Sequence, residues 1–404
     1  MLLVDPVRLA RRQLEIDRER TARFPHLLAH KVVRMSPSPL ALLRGSAPLF
    51  YELIERHPEL GEGPGGEGWL VGDAHIENFG AYRAGKLTVD ETQQLRAKEP
   101  VVFDLNDFDD AVVGPWRFDV LRLLTSLILG GRQAGSDGAR TLEQCDALLE
   151  AYVAVAFHGK RIPPPPDVVA ALIEKVRTRT RRAFLDARTE VVRGERRFVR
   201  GPRYEALPRK LRARAERAFQ KYGQRLPRSE RAPAEALEVI DAAFRVAGTG
   251  SLGALRVAVL VRGKGGPDGA WIFDMKAEGT PSASRFAGPP KVAPADRVCE
   301  AIHACVARPP RMIGSTRLRG SSMLVRRLAP QEDKLEFGQI APTDLVPLAQ
   351  YLGTLLGAAH RRGAVRVPKK PWSTKDRERL LGRALVLAGV HEALYLAYCN
   401  LVRR

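Results

Sequence analysis

The stretch Trp69-Leu70-Val71-Gly72-Asp73-Ala74-His75-Ile76-Glu77-Asn78-Phe79-Gly80 decides how the rest of the chain is read. Its apolar start, Trp69 to Val71, predicts a short strand that delivers Asp73, and Asn78 follows five residues later. Transfer onto a hydroxyl needs one carboxylate to accept the proton and a nearby amide oxygen to hold a metal ion on phosphates. Asp73 and Asn78 supply those two groups in that order. An isolated pair of this kind arises by chance in any long chain, so the reading rests on what surrounds it. His75 sits between them and is read as a loop-ordering side chain; metal ligation is its alternative, but one imidazole without companions rarely makes a site.

The next cluster downstream is denser. Val101 to Leu105 is an apolar strand containing Asp104, followed by Asn106-Asp107-Phe108-Asp109-Asp110-Ala111, then Gly114-Pro115-Trp116 and Asp119. Five acids within 16 residues repel one another unless a divalent cation or a paired Arg117 or Arg122 neutralises them. Asp107 before Phe108 stands where a kinase carries the magnesium-binding Asp of Asp-Phe-Gly, with Asp109 in place of the glycine. Asp104 and Asp109 are rival ligands. Arg44, in Leu43-Arg44-Gly45-Ser46, either binds phosphate or pairs with this acidic cluster.

Far downstream, Gly248-Thr249-Gly250-Ser251-Leu252-Gly253 matches G-x-G-x-x-G. A dinucleotide-binding turn would need a helix next. The residues that follow, Ala254 to Val261, instead predict a strand, so the loop joins two strands and could cover phosphates. The next apolar run, Trp271 to Met275, ends in Lys276. A lysine there is costly to bury alone and should meet phosphate or an acid. Glu300, on the expected helix 296–306, is the preferred partner, and Glu278, two residues along the same strand face, is the alternative.

Composition sets the frame for these motifs. The 404 residues are 45% hydrophobic and 28% charged, a globular balance that excludes disordered and fibrous classes. No stretch of about 20 residues is free of charge, so no transmembrane segment is expected. Four scattered cysteines exclude a disulfide scaffold and fit a reducing cytoplasm. The net charge of +20 points to an anionic partner. From Glu174 to Arg231 there are 20 Lys/Arg against 7 Asp/Glu, so that segment could hold nucleic acid or another polyanion, or form a solvated helical face. Hydrophobic patterning divides the chain into three parts: a helical lobe at 1–236 with the catalytic hairpin at 69–120, a β-rich lobe at 237–345, and C-terminal helices at 346–404 packing on the helical lobe.

Taken together, GDAHIEN, NDFDDA and GPWRFD resemble motifs of the protein-kinase-like superfamily, nearest in style to aminoglycoside and choline phosphotransferases. More closely, SPLALLRGSAPLF (Ser38 to Phe50), GDAHIENFG, FDLNDFDDAVVGPWRFD and GTGSLG resemble a large bacterial family known as a domain of unknown function. The first resemblance implies an α+β, bilobal, protein-kinase-like fold with a large helical lobe and a smaller antiparallel β lobe. Gly248 follows Asp73 by 175 residues, whereas a kinase has its Gly-rich loop first, so the order is circularly permuted. The helix that leads into the catalytic loop is then either YLGTLLGAAHRRG or LALLRGSAPLFYELIE. The implied function is ATP-dependent phosphotransfer to an unknown hydroxyl acceptor. Asp73 would be the base, Asn78 and Asp107 would hold Mg2+, Lys276 would hold the nucleotide phosphates, and Gly248, Gly250, Ser251 and Gly253 would cover them. The alternatives are a kinase-like binding or regulatory protein docking an anionic partner through 174–231, and a nucleotidyl transferase with ATP bound in reverse.

Overall fold

The computed structural model describes residues 4–85, 101–288 and 291–403; the expected hairpin 69–120 therefore includes a segment, 86–100, outside the described residues. The fold is mixed α+β with several antiparallel sheets. A helical body carries the largest core. Helix Arg117–Gln133 runs through it with Val120, Leu121, Leu123, Leu124, Leu127 and Ile128 wholly buried, which accounts for its apolar character on every face. Helices Gly138–Ala156 and Leu345–Arg362 pack closely because Gly353 and Gly357 leave room. A Cβ at Gly353 would lie 2.3 Å from the Leu148 carbonyl oxygen, and one at Gly357 2.7 Å from that of Tyr152.

The last helix, Thr374–Val402, starts at a capping box in which Ser373 and Asp376 satisfy each other's backbone N–H. It is long and apolar enough to cross a membrane by length and composition. Here it buries Leu380, Ala384, Leu387, His391, Leu394 and Tyr398 against the body, and Glu392 pairs with Arg132 at 2.6 Å.

The second part is a six-stranded antiparallel sheet, in spatial order Gly314–Leu318, Ser321–Leu328, Trp271–Glu278, Arg256–Val261, Val239–Arg245 and Tyr204–Glu205. Helix Pro294–Cys305 connects the strand Trp271–Glu278 to the strand Gly314–Leu318. Side chains alternate faces along each strand. Phe273 and Met275 pack toward helix Arg209–Arg225, with Phe219 4.9 Å from Phe273, while Asp274 and Lys276 face a cavity.

This placement corrects the boundary expected at residue 236. Tyr204–Glu205 is an edge strand of the sheet, and the arginine-rich helix Arg209–Arg225 packs on the sheet rather than on the helical body. The cause is an apolar stripe of Ala215, Ala218, Phe219 and Tyr222, which the surrounding cations mask in the sequence. The C-terminal helices lie against the helical body.

Two small sheets brace the motif residues. Strand Glu67–Leu70 lies between Val112–Pro115 and Ala364–Arg366, and strand Phe79–Arg83 lies between Val101–Leu105 and Asp333–Lys334. The loops 71–78 and 106–111 leave these sheets side by side.

Candidate active site

Gly72 sets the turn before Asp73. Its φ is +81°, and a Cβ would lie 1.9 Å from the Asp110 carbonyl oxygen, so no other residue fits. The turn is held from below by Asp119, whose carboxylate accepts the Val71 N–H at 2.6 Å and the Gly72 N–H at 2.9 Å. His360 Nε2 meets the same carboxylate at 3.1 Å, Tyr152 hydroxyl meets His360 Nδ1 at 2.9 Å, and Trp116 stacks on the imidazole. Asp119, His360, Tyr152 and Trp116 are all fully buried. This network fixes where Asp73 points.

Asp73 pairs with Arg122, Nε to Oδ1 at 2.5 Å. Desolvation pushes the Asp73 carboxyl up to about 7; Arg122 opposes that shift, and Asp110 and Asp107 add to it. Asn78 Nδ2 donates to the Asp73 carbonyl oxygen at 2.5 Å, which leaves the Asn78 amide oxygen as an acceptor. His75 Nδ1 accepts the Glu77 N–H at 3.2 Å, and burial holds the imidazole well below its usual range. Neutral and engaged with its own loop, His75 orders the loop.

A cavity of about 340 Å³ opens above these groups. It is lined at once by Asp73, His75, Asn78, Asp107, Asp109, the whole of Gly248 to Gly253, Lys276 and Glu278. Gly250 thus lines the same cavity as Asp73 and Asp107. The loop is tethered to the N-terminal helices: Arg34 donates to the Gly248 carbonyl oxygen, and Arg20 donates to that of Gly250 at 3.2 Å. Gly253, at φ +103°, comes so close to the Arg20 carbonyl that a Cβ would sit 2.2 Å away. A second cavity, of about 350 Å³, shares the wall formed by Asp107, Asp109, Lys276 and Lys334. It is also lined by Arg245, Arg256, Asp274, Arg326, Tyr82, Val298 and Ile302.

Lys276 is bound to two acids, Asp109 and Glu278, the latter at 3.2 Å. Burial opposes its charge, but the carboxylates outweigh it and hold Lys276 above the usual lysine range. Glu300 is not its partner. It is exposed on helix Pro294–Cys305 and lines neither cavity. The inward face of that helix presents Arg297, which donates to the carbonyl oxygens of Ala111, Asp109 and Gly279, tying the helix to the acidic loop.

The acids separate by surroundings. Burial favours the neutral form of Asp107, but Lys276, Lys334 and Arg326 prevail and hold it below the usual carboxylate range. Asp109 and Glu278 are raised, by desolvation and by the neighbouring acids. Asp104 is pushed up to about 6 by burial and faces Arg362 at 3.9 Å; it reaches neither cavity, which removes it as a rival ligand. Arg44 lines the cavity, but its ion pair is with Glu77 at 2.7 Å rather than with the acidic cluster.

Among the described residues no three His, Cys, Asp or Glu side chains converge as a ready-made metal cage. One ionised carboxylate, Asp107, and one amide oxygen, Asn78, fit a magnesium ion that takes its remaining ligands from water and phosphates. The sequence reading missed Lys334, which lines both cavities, and the Asp119–His360–Tyr152 support. Lys334 lies on a two-residue strand with no periodicity to mark it. His360 has only helical spacing to show.

Residues 23–389 match the model of a bacterial family described as an uncharacterized protein conserved in bacteria (DUF2252), and the chain belongs to that family. No curated protein and no solved structure matches it.

Proposed function

We propose that the protein is an ATP-dependent phosphotransferase on a circularly permuted kinase-like scaffold, acting on a hydroxyl-bearing acceptor in the cytoplasm. The observation that carries this reading is the single cavity lined by Asp73, Asn78, Asp107, the glycine loop and Lys276, drawn from segments up to 203 residues apart. The arrangement of the sheet supports it: the glycine loop joins two adjacent antiparallel strands, the next strand carries Lys276, and a helix follows. The chain order has support as well. The Gly363 carbonyl oxygen accepts the Trp69 N–H at 2.9 Å, so helix Leu345–Arg362 ends beside the strand that enters the Asp73 loop. A permuted chain needs that junction.

In this reaction Asp73 accepts the proton of the acceptor hydroxyl. The acceptor oxygen forms a bond to the γ-phosphorus, the bond from that phosphorus to the β-bridging oxygen breaks, and ADP departs with the electron pair. Arg122 favours the ionised base, and Asp119 and His360 fix the turn that carries it. Asn78 and Asp107 would hold magnesium, which supplies charge neutralisation on the phosphates when bound. Backbone N–H groups of Gly248 to Gly253 close over the nucleotide. The decisive test is thermal: Mg-ATP should raise Tm through linkage. Asp73→Asn should keep that shift and lose transfer. No shift with ATP, GTP or ADP at millimolar concentration would remove the nucleotide reading.

A second reading, docking of a polyanion, has one observation in its favour. Lys210, Arg214, Arg217, Lys221 and Arg225 recur at helical spacing along Arg209–Arg225, all exposed and, among the described residues, without an ion pair. They form a stripe about 22 Å long at 1.5 Å per residue. Of the interleaved aromatics, Phe198, Tyr204, Phe219 and Tyr222 are buried in packed cores and Phe184 is half-buried beneath Arg188, so the surface offers charge with little base stacking. It suits phosphate backbones or an acidic acceptor better than unpaired bases.

A further inference from the structure

We propose that Lys334 is a second phosphate-binding cation of this site, holding a phosphate oxygen of the bound nucleotide between Asp107 and the glycine loop. The inference rests on the nucleotide reading above but assigns a residue which that reading does not use. Three observations carry it.

The first is position. Strand Asp333–Lys334 pairs with Phe79–Arg83, Lys334 opposite Gly80, which places it on the strand that leaves the Asp73–Asn78 loop. From there Lys334 lines both cavities, at the wall they share with Asp107 and Lys276. A ligand that spans the two cavities passes it.

The second is its lack of a partner. Lys276 already pairs with Asp109 and Glu278, and Arg44 is engaged by Glu77. Asp333 is taken by Arg179. The Lys334 ammonium, by contrast, has no carboxylate within ion-pair distance among the described residues. It is only partly exposed, and a desolvated cation without a partner is unfavourable unless it meets an anion that is not part of the chain.

The third is its electrostatic surroundings. Desolvation lowers the Lys334 ammonium from the usual lysine range, with Arg44 and Arg326 adding to the shift; Asp107 and Glu77 oppose it. An arriving phosphate would reverse that balance, as a charge-assisted hydrogen bond does. Lys276 and Lys334 would then approach the phosphates from the sheet and from the catalytic hairpin respectively.

The test uses the full chain, Lys334→Met and Lys334→Arg, with Mg-ATP and magnesium tripolyphosphate as probes in calorimetric titrations. Lys334→Met should weaken both probes about tenfold or more, whereas Lys334→Arg should stay within about threefold of wild type. Unchanged affinity in Lys334→Met, with wild type binding ATP, overturns this assignment and leaves the nucleotide reading standing. If wild type binds tripolyphosphate but not ATP, and Lys334→Met loses it, the nucleotide reading fails and the phosphate assignment holds. If wild type binds neither probe, both fail. Should Lys334→Met not fold, acetylation of the wild-type protein read by mass spectrometry decides instead. Protection of Lys334 by magnesium tripolyphosphate supports the assignment, and equal labelling with and without it overturns the assignment.

Discussion

The Asp73 carboxylate and the Arg122 guanidinium meet at 2.5 Å with their burial divided: the Arg122 side chain is fully buried, whereas that of Asp73 is 18% exposed and lines the cavity. Since Asp73 is held up at about 7, turnover should follow a rising limb centred near pH 7 in kcat/KM. Asp110→Asn removes a neighbouring negative charge and should shift that limb to lower pH. Arg122→Met removes the favouring cation and should shift it higher. A limb that stays fixed in both variants would show that Asp73 is not the titrating base.

The same shift couples to stability. The folded-state value lies above that of an unfolded aspartate, so the ionised group destabilises the fold. Its favourable contribution is complete below about pH 4 and is lost as pH rises through about 7. Asp73→Asn, which mimics the protonated form, should melt higher than wild type at pH 8, and the two should converge at low pH. Thermal melts at the two pH values check this.

Asp107 is held below the usual carboxylate range by the surrounding cations Lys276, Lys334 and Arg326. Asp107→Ala should abolish the magnesium dependence of any ATP-induced Tm shift and lower ATP affinity about tenfold or more. Titrations with and without magnesium read both effects. Asp104→Ala, which reaches neither cavity, should leave the magnesium dependence as in wild type.

Asp119 supports the turn that carries Asp73 without lining either cavity. Asp119→Ala leaves two buried backbone N–H groups and His360 without their acceptor, which should destabilise the fold by about 3 kcal/mol or more. In denaturant unfolding the midpoint should fall accordingly, and transfer should be lost even where the variant folds.

Lys31 and Asp17 form a fully buried pair at 2.9 Å that lines neither cavity. Lys31→Met alone should cost about 3–5 kcal/mol because it strands a buried carboxylate, whereas Lys31→Met with Asp17→Leu should recover most of that loss. A double-mutant cycle in urea measures the coupling.

Local chemistry made much of this site legible in the sequence. Asp73, Asn78 and Asp107 stand on short segments where strand-then-turn patterning is strong. The glycine loop is marked by composition, and Lys276 by its place at the end of an apolar run. What stayed hidden depends on rotation and distance. Helical periodicity does not say which face of Pro294–Cys305 turns inward, so the sequence points to Glu300 where the fold presents Arg297. The acids that do meet Lys276 come from Glu278 on its own strand and from Asp109, 167 residues away in sequence. The arginine-rich helix misled for a related reason. Its charge dominates composition, while four small or aromatic residues on one side decide what it packs against.

The chain order has a consequence during synthesis. Asp109 leaves the ribosome 167 residues before Lys276, a delay of about 8 to 33 s at bacterial rates of elongation. Over that interval the acidic loop must stay hydrated, since the lysine that later pairs with Asp109 does not yet exist. The strand Glu67–Leu70 waits longer still for its neighbour Ala364–Arg366. Until that segment emerges, one edge of the strand leading to Asp73 is open, and a nascent or truncated chain ending before residue 364 exposes a pairing surface to its neighbours.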